Sequence, residues 1–225
     1  MKLRNQIIRI LLETLQEDYP VSFDMEEFKS INTFAERVRY CEARLERIAQ
    51  GSSRIVYRID QQMVLKLAKN TKGLAQNQAE VDFSEDSHLD SYGLISKVYN
   101  YHPQFHWLEV EAANKVTPSK FKEITGFNWK DFQGALHDYG FKVHGRRGDF
   151  HSPSGVDPEV VEAMWEDHDF VYQVFDYIGN FEVPTGDLVR ISSWGWIQRP
   201  EGPEMVLVDY GLTQDVADTH YAAAE

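Results

Sequence analysis

The feature that most constrains this fold is a series of three short strand-like segments in the first half of the chain. They are rich in Ile, Leu and Val, and turn-forming residues such as Gly51 and Asp60 separate them: 45–48, 55–59 and 63–68. Segments of this kind, joined by short turns, predict an antiparallel meander. A segment of helical composition follows at 74–83, and two further strands are expected at 94–101 and 107–110. The sequence thus predicts a five-stranded antiparallel sheet with one helix inserted after the third strand.

The rest of the chain is expected to be mainly helical. Thr117 followed by Pro118 is typical of a helix start, because threonine caps the first turn and proline fits the first helical position. Further helices are predicted at 128–139, which Gly140 would close as a C-cap, and at 157–177. The predicted fold class is therefore α+β, with a reduced helical C-terminal lobe.

The N-terminal segment is predicted to form a helical extension. Residues 2–17 have apolar side chains at helical spacing, which gives one wide apolar stripe: Leu3, Ile7, Ile10 and Leu11. Asn32 or Thr33 can cap a second helix. So wide an apolar face must dock on the main domain or on another chain, so we expect a protein partner at the first helix. The predicted organisation is an extension over 1–43, a first lobe over 44–113 and a second lobe over 114–225.

Charged residues are unevenly distributed along the chain. From His151 to the C-terminus there are 15 acidic and two basic side chains, and this segment carries the whole net charge of −13. Because phosphate contacts need Lys and Arg, this composition argues against nucleic-acid binding there. It fits a cation site, a basic partner or solubility.

Cysteine content and hydropathy indicate the compartment. The single cysteine, Cys41, excludes a disulfide framework and favours a reducing compartment. The sequence has no run of 18 apolar residues and no signal-peptide pattern. We therefore expect a cytoplasmic protein that makes no membrane contact.

Three residues in the predicted sheet and helix suggest nucleotide chemistry. Gly51 lies in the first turn, Lys66 in the third strand and Glu80 on the helix that follows. A glycine lets backbone N–H groups approach phosphates, a strand lysine binds phosphate oxygens, and a helix glutamate holds that lysine. A lone lysine in a strand is usually a solvent-face residue, so the order of all three matters.

A fourth element extends this order. Residues 205–208 are typical of a buried strand, and Asp209 at its end can reach a magnesium ion. Together, segments 51–57 and 64–66, Glu80 and segment 208–212 resemble the protein-kinase-like superfamily. The compact form is also similar to small kinase-like proteins encoded by bacteriophages.

The resemblance implies ATP and Mg²⁺ as ligands and gives individual residues roles. Lys66 would bind the phosphates and Glu80 would hold it in place. Asp209 and Ser192 would hold the metal, and Asp187 would accept the proton of the attacking hydroxyl. The glycine loop and the hinge would contact the rest of the nucleotide through these residues: Gly51, Ser52, Ser53, Glu111, Ala112 and Ala113.

The sequence departs from the kinase pattern in four places. Thr185 and Gly186 stand where kinases have His-Arg before the catalytic aspartate, and Ser192 replaces the metal-binding asparagine. Gly51 is the one glycine left of the usual three. Only 14 residues follow Gly211, too few for a peptide-substrate platform.

These departures favour a kinase-like binding or structural module with a degenerate nucleotide pocket. In a phage setting, this would be a virion component or a host-interaction protein in the host cytoplasm. The alternative is a minimal Mg-ATP-dependent phosphotransferase that uses Lys66, Glu80, Asp187 and Asp209. A third possibility is an unrelated α+β interaction protein with chance motifs, which would place Lys66 and Glu80 far apart.

Other motifs have simpler interpretations. The second Asp-Tyr-Gly, at 138–140, follows a helix rather than a strand, so its glycine is interpreted as a helix cap. Four residues could form a metal site: His137, His144, His151 and Asp149. A solvated loop is the simpler interpretation of the same segment. Arg146 and Arg147 could contact an anion, but an exposed loop explains them as well.

Overall fold

The computed structural model of the chain describes residues 19–144, 168–181 and 183–220. By its internal contacts the chain divides into two units. Within the described residues, the first unit comprises 19–82 and 97–112, and the second comprises 83–96 and the described residues from 113 onward. The helix predicted over 2–17 lies outside the described residues. The division predicted at residues 43 and 113 stays a prediction.

The first unit is built around one antiparallel sheet. Its elements in chain order are helices α1 (Met25–Ser30) and α2 (Phe34–Glu42), strands β1 (Glu46–Gln50), β2 (Arg54–Arg58) and β3 (Met63–Ala68), helix α3 (Thr71–Glu85), and strands β4 (Val98–Tyr101) and β5 (Trp107–Glu111). The sheet order is β1-β2-β3-β5-β4, and every neighbouring pair is antiparallel. The predicted α+β architecture, with five antiparallel strands and a helix after the third, is confirmed. It is consistent with a small kinase-like fold.

The alternation of side chains in β3 gives the sheet two different faces. Leu65 and Leu67 belong to a cluster with Phe28 of α1 and Cys41 of α2. Val64 on the other face belongs to a separate cluster that includes a residue of α3. Because side chains alternate along a strand, Lys66 lies on the same face as Val64 and not with Leu65 and Leu67, as the sequence predicted.

Local capping explains where the N-terminal helices begin. Thr33 accepts a hydrogen bond from the backbone N–H of Glu36 at 3.2 Å, and its hydroxyl donates to the Glu36 carboxylate at 2.6 Å. The sequence allowed either Asn32 or Thr33 as the cap of this helix, and Thr33 is the one that caps it. Helix α1 was not predicted, although Asp24 caps it by accepting hydrogen bonds from two backbone N–H groups.

The second unit combines helices with a small sheet. Its elements in chain order are α4 (Ser87–Tyr92), β6 (Asn114–Lys115), α5 (Pro118–Thr125), α6 (Trp129–His144), α7 (Asp169–Asn180), α8 (Thr185–Leu188), a 3₁₀ turn (Ile191–Ser193), β7 (Trp194–Arg199), β8 (Gly202–Leu207) and α9 (Gln214–His220). Aromatic side chains dominate its core, including Phe121, Phe132, Phe175 and Trp194. The start of α5 at Thr117 and Pro118 is as predicted.

The second unit contains a three-stranded sheet in the order β6-β7-β8. Only its last strand, β8, was predicted from the sequence. Strand β7 contains Gly195 between two tryptophans, and glycine weakens a strand prediction. The structure gives the reason for this glycine. A Cβ at position 195 would lie 2.6 Å from the Cβ of Ala113 and 3.0 Å from a methyl group of Val208. Trp194 is buried in the core, as expected for an aromatic residue.

Helix α6 corrects one detail of the sequence prediction. Gly140 does not end the helix, which continues to His144. A Cβ at position 140 would lie 2.5 Å from Cγ2 of Thr185, so the glycine permits close packing instead of capping. The second Asp-Tyr-Gly is therefore inside a helix, without a strand before it.

The helices that the structure describes were also compared with the requirements of a membrane span. None of them combines the length and the apolar character that a bilayer-spanning helix needs.

Candidate functional site

The centre of the candidate site is an ion pair between Lys66 and Glu80. The Nζ atom of Lys66 on β3 lies 2.5 Å from Oε2 of Glu80 on α3. The Lys66 side chain is 5% exposed and that of Glu80 is 0% exposed. The sequence predicted this contact from the order of motifs, and the structure brings the two residues together. The chance-motif interpretation, which required them to be far apart, is therefore wrong.

A third charged residue, Arg54, completes this site. Its Nη1 atom lies 2.7 Å from Oε1 of Glu80 and 3.4 Å from Oδ1 of Asn77. The Arg54 side chain is 8% exposed. The Glu80 carboxylate is thus shared between two cations, one on each oxygen. We call Lys66, Glu80 and Arg54 the charged triad.

The sequence analysis missed Arg54, although the signal was present. Arg54 opens β2, and Val56 two residues later pairs with Lys66 in the sheet. Because residues two apart in a strand share a face, Arg54 lies on the Lys66 side of the sheet. A charged residue at that position of a half-buried strand needs a partner, and Glu80 is the partner.

Electrostatics keep Glu80 ionised within this buried triad. Desolvation by burial raises its pKa, but the charges of Arg54 and Lys66 and their hydrogen bonds outweigh this effect, so the Glu80 pKa is lowered. One carboxylate therefore faces two cations in an environment of low dielectric. Charges in such an environment interact more strongly than the same charges would in water.

The loop at 51–53, predicted to contact the nucleotide, is held by its own chain. The Gly51 N–H donates to the carbonyl of Arg54 at 2.9 Å. The Gly51 carbonyl accepts from Nζ of Lys69 at 3.0 Å, and the Ser52 carbonyl accepts from Nδ2 of Asn70 at 3.2 Å. Both donors follow β3, so the loop lies against the connection between β3 and α3.

Ser53 fixes the same loop from the other end. Its hydroxyl donates to Oε1 of Gln76 at 2.5 Å, and its carbonyl accepts from the N–H of Lys69 at 2.8 Å. A Cβ at Gly73 would collide with the Ser53 carbonyl, so that glycine permits the close approach of loop and helix. The loop is therefore a fixed element of the first unit and differs from a freely moving glycine-rich flap.

The predicted hinge residues lie at the end of β5. Glu111 is the last residue of that strand, and its N–H donates to the carbonyl of Lys97 at 2.8 Å. The N–H of Ala112 donates to the carbonyl of Gln62 at 2.7 Å. Ala113 begins the next segment of the second unit. Two of the three predicted hinge N–H groups are thus already used within the first unit.

In the second unit, the predicted metal ligands meet at one end of a hairpin. Trp194 of β7 pairs with Leu207 of β8, and the N–H of Val208 donates to the carbonyl of Ser193 at 2.9 Å. Ser192 and Asp209 are the next residues on the two sides of this pairing. The register thus brings these two predicted ligands to the same end of the hairpin.

Asp209 is anchored by the residue that follows it. Tyr210 is buried, and its hydroxyl donates to the carbonyl of Ser96 at 2.8 Å. The Tyr210 carbonyl in turn accepts from the hydroxyl of Tyr177 at 3.1 Å. These bonds hold the backbone next to the Asp209 carboxylate, which is only partly buried.

Asp187, the predicted catalytic aspartate, lies in the short helix α8. Its carboxylate is 3.2 Å from Nη1 of Arg190, and its side chain is 23% exposed. The neighbouring Leu188 carbonyl accepts a hydrogen bond from Nε1 of Trp194 at 2.8 Å. The segment that carries Asp187 is thus fastened to the start of β7.

The chemistry of Ser192 and Asp209 is compatible with magnesium. Mg²⁺ is usually bound by one or two carboxylates together with water and substrate phosphates. Among the described residues, no group of three or more His, Cys, Asp or Glu side chains could hold a metal ion. Asp149 and His151 of the other conceivable metal site, and the arginines at 146 and 147, lie outside the described residues.

Comparisons with known proteins give little further information. No protein-family model matches the chain, and no curated protein sequence does. One similar solved structure is a ternary complex of streptomycin, ATP and APH(2")-IIa, with 12% sequence identity, coverage of 85% of this chain and 73% of that chain, and a TM-score of 0.33. With so low a TM-score, the likeness adds nothing to the fold assignment, which rests on the strand order and the Lys66–Glu80 pair.

Proposed function

We propose that this chain is a kinase-like nucleotide-binding protein whose first unit binds the phosphates of ATP through Lys66. The observation that carries the proposal is the buried ion pair between Lys66 on β3 and Glu80 on α3. In protein kinases a strand lysine paired with a helix glutamate must be in place for phosphate binding. The strand order of the sheet and the helix after the third strand provide the same positions here.

The charges of the triad support a polyanionic ligand. Glu80 contacts both Lys66 and Arg54, which fixes the two cations beside each other where a phosphate group would bind. Charge-assisted hydrogen bonds to phosphate are roughly twice as strong as neutral ones, and burial strengthens them further. Arg54 would orient Glu80 and so hold Lys66 in position.

The kinase pattern also assigns a metal site to the second unit. The Asp209 carboxylate is the residue best suited to hold Mg²⁺, with the Ser192 hydroxyl as a weaker ligand. The anchored Tyr210 would keep Asp209 in place while the nucleotide is exchanged.

We favour binding over phosphate transfer as the main activity. Ser192 gives magnesium a neutral hydroxyl where kinases supply an asparagine. The loop at 51–53 is fastened to its own chain, and Asp187 is paired with Arg190. Each feature lowers the fit to catalysis and leaves phosphate binding by Lys66 unaffected.

Calorimetric titration of the full chain with ATP, with and without Mg²⁺, tests this proposal. Lys66→Met should weaken ATP binding by about 10-fold or more, since a charge-assisted hydrogen bond contributes about 1.5–3 kcal/mol. Lys29→Met, at a partly exposed lysine on α1, is the matched control and should bind like the wild type. Unchanged affinity in a folded Lys66→Met protein would refute the assignment, as would a wild type that does not bind millimolar ATP.

The metal assignment has its own test. Asp209→Asn should weaken the binding of Mg²⁺ to the chain in a calorimetric titration, because an amide lacks the charge of the carboxylate. Asp138→Asn changes the aspartate of the second Asp-Tyr-Gly, inside α6, and serves as the control. Equal Mg²⁺ affinity in the two variants would mean that Asp209 is not the ligand.

A minimal phosphotransferase is the second candidate function. The observation in its favour is that Ser192 and Asp209 meet at one end of the β7–β8 hairpin, with Asp187 on the segment fastened to β7. If transfer occurs, Asp187→Asn should abolish release of the γ-phosphate while ATP affinity stays unchanged. Transfer that persists in this variant would remove Asp187 from the reaction.

The binding role implies a partner, which we propose on the sequence alone. The apolar stripe of the predicted first helix would dock on a protein, in a phage particle or a host complex. Ile7→Asp should abolish partner assembly, whereas Lys66→Met should leave it intact. The opposite pattern would place the partner at the nucleotide site.

A further inference from the structure

A second buried arginine lies on the opposite face of the sheet from the charged triad. Arg37 of α2 is only 4% exposed. Its Nε and Nη1 atoms are buried, and no described residue accepts a hydrogen bond from them. None of the ion pairs among the described residues involves Arg37. The guanidinium is thus buried without a counter-ion in the described part of the chain.

Two histidines lie in the turn between β4 and β5, and one of them contacts the helix that carries Arg37. The ring of Phe34, one helical turn before Arg37, meets the ring of His106 edge-on at 5.7 Å. The rings of His102 and His106 are 4.7 Å apart, and the ring of Trp107 is 6.0 Å from that of His102. The Nδ1 atom of His106 and the Nε1 atom of Trp107 are also buried without a described partner. Several unsatisfied polar atoms therefore occur together.

The Arg37 charge influences both imidazoles. Desolvation lowers the pKa of His102, and the nearby Arg37 charge lowers it further. The same two effects lower the pKa of His106 to about 4, with a smaller contribution from His102. Both histidines are half-buried.

An unpaired guanidinium inside a protein is unfavourable. Burial lowers the pKa of Arg37, but arginine stays charged at any physiological pH. A buried charge is normally paired, and most buried polar atoms have a hydrogen-bond partner. An acceptor with negative charge would satisfy these two nitrogens.

We propose that Arg37, His102 and His106 form a binding site for a small oxyanion, a phosphate or a carboxylate. The guanidinium presents donors in a planar fork that matches two oxygens of such a group. His102 contributes a further donor, because its Nδ1 accepts a hydrogen bond from the N–H of Gln104 at 3.0 Å, which leaves the ring proton on Nε2. This site is separate from the charged triad, because the two lie on opposite faces of the sheet.

Thermal unfolding of the full chain in sodium phosphate, against sodium chloride of equal ionic strength, tests the site. The wild type should gain about 3–6 °C at a phosphate concentration about ten times the dissociation constant, and the gain should saturate. A parallel series with malonate distinguishes phosphate from carboxylate as the preferred oxyanion. Saturable stabilisation by either anion supports the site, and no saturable effect of either anion refutes it.

Three variants locate the effect. Arg37→Met fills the same space without charge and should lose the saturable response. Arg39→Met, at an exposed position of the same helix, should keep it. Lys66→Met removes the phosphate ligand proposed at the charged triad, and it should keep the part of the response that Arg37→Met loses. If the response is lost in Lys66→Met and kept in Arg37→Met, phosphate binds at the triad, and this inference fails while the proposed nucleotide binding stands.

A second measurement covers the case in which Arg37→Met does not fold. The imidazole resonances of His102 and His106 in the wild type should shift on addition of phosphate and level off at saturation. His88, on α4 in the second unit, should not shift and serves as the internal control. Equal shifts in all three rings would indicate a general salt effect and would refute the site.

Discussion

The two faces of the first sheet differ in whether a carboxylate lies beside their buried arginine. On the α3 face, Arg54 lies 2.7 Å from the Glu80 carboxylate, which also neutralises Lys66. On the face covered by α1 and α2, Arg37 has no described counter-ion and two buried nitrogens without partners. One face therefore pairs its arginine with a carboxylate, whereas on the other face two nitrogens of the arginine have no described partner.

This difference shows that burial alone does not identify the role of a charged residue. Arg54 and Arg37 are buried to a similar degree. What separates them is whether the fold supplies the opposite charge. A compensated cation can be explained as a positioning residue, whereas an uncompensated one needs a ligand from outside the described chain.

The largest effect is expected when the shared anion of the compensated face is removed. Glu80→Gln removes the carboxylate that Lys66 and Arg54 share. Breaking a buried ionic network in this way costs about 3–5 kcal/mol, measured as the free energy of unfolding in urea. Glu46→Gln, at an exposed ion pair with Arg58 in the same sheet, is the control and should change it by less than about 1 kcal/mol. A similar small loss in both variants would contradict the description of a coupled triad.

A smaller loss is expected when one cation of the triad is removed. Arg54→Met leaves Glu80 paired with Lys66, so the carboxylate stays ionised and partnered. We expect a loss of about 1–3 kcal/mol in the same urea experiment, the usual range for losing a hydrogen bond to a charged group. Because Glu80 then holds Lys66 less firmly, ATP affinity should fall less than in Lys66→Met. A greater loss of ATP affinity in Arg54→Met would make Arg54 the main phosphate ligand.

The matched substitution on the other face should not destabilise the protein. Arg37→Met removes a buried charge that has no described counter-ion and adds apolar area next to Phe34. In anion-free buffer its free energy of unfolding should equal or exceed that of the wild type, in contrast to Arg54→Met. A loss as large as that of Arg54→Met would mean that Arg37 is compensated within the chain, and the comparison between the faces would fail.

A further effect is expected in the pH dependence of the α2 face. The His106 pKa is lowered to about 4 in the folded protein, against 6.5 for an ordinary histidine. Between these values the unfolded chain binds more protons, so His106 makes the folded state less stable as pH falls from about 6.5 to about 4. In His106→Phe, melting temperatures from pH 7 to pH 4 should fall less steeply than in the wild type. Equal slopes in both proteins would show that the ring titrates normally.

Several features of the fold follow from local sequence patterns. Because successive side chains of a strand point to opposite faces, Lys66 was predicted on the face of β3 that Leu65 and Leu67 do not share. Thr33 and Thr117 marked helix starts, because their side chains satisfy N–H groups that the helix leaves free. The position of Glu80 on the following helix was likewise evident from the order of motifs.

Other features could not be predicted from local patterns. A glycine such as Gly140 is typical of a helix C-cap, yet Gly140 lies inside α6. The glycine is needed there because Thr185 packs against it. Strand β7 was missed because Gly195 weakens its strand signal, and only the neighbouring Ala113 explains why glycine is required there. In both cases the decisive neighbour is distant in the sequence.

The sequence by itself therefore determined the five strands of the first sheet with the helix after the third, the face on which Lys66 lies and its pairing with Glu80. Only the tertiary structure decided that Arg54 joins that pair and that Arg37 is buried without a described partner. The physical reason is that periodicity depends on neighbouring residues, whereas the desolvation and compensation of a charge depend on which helix packs across which face of the sheet.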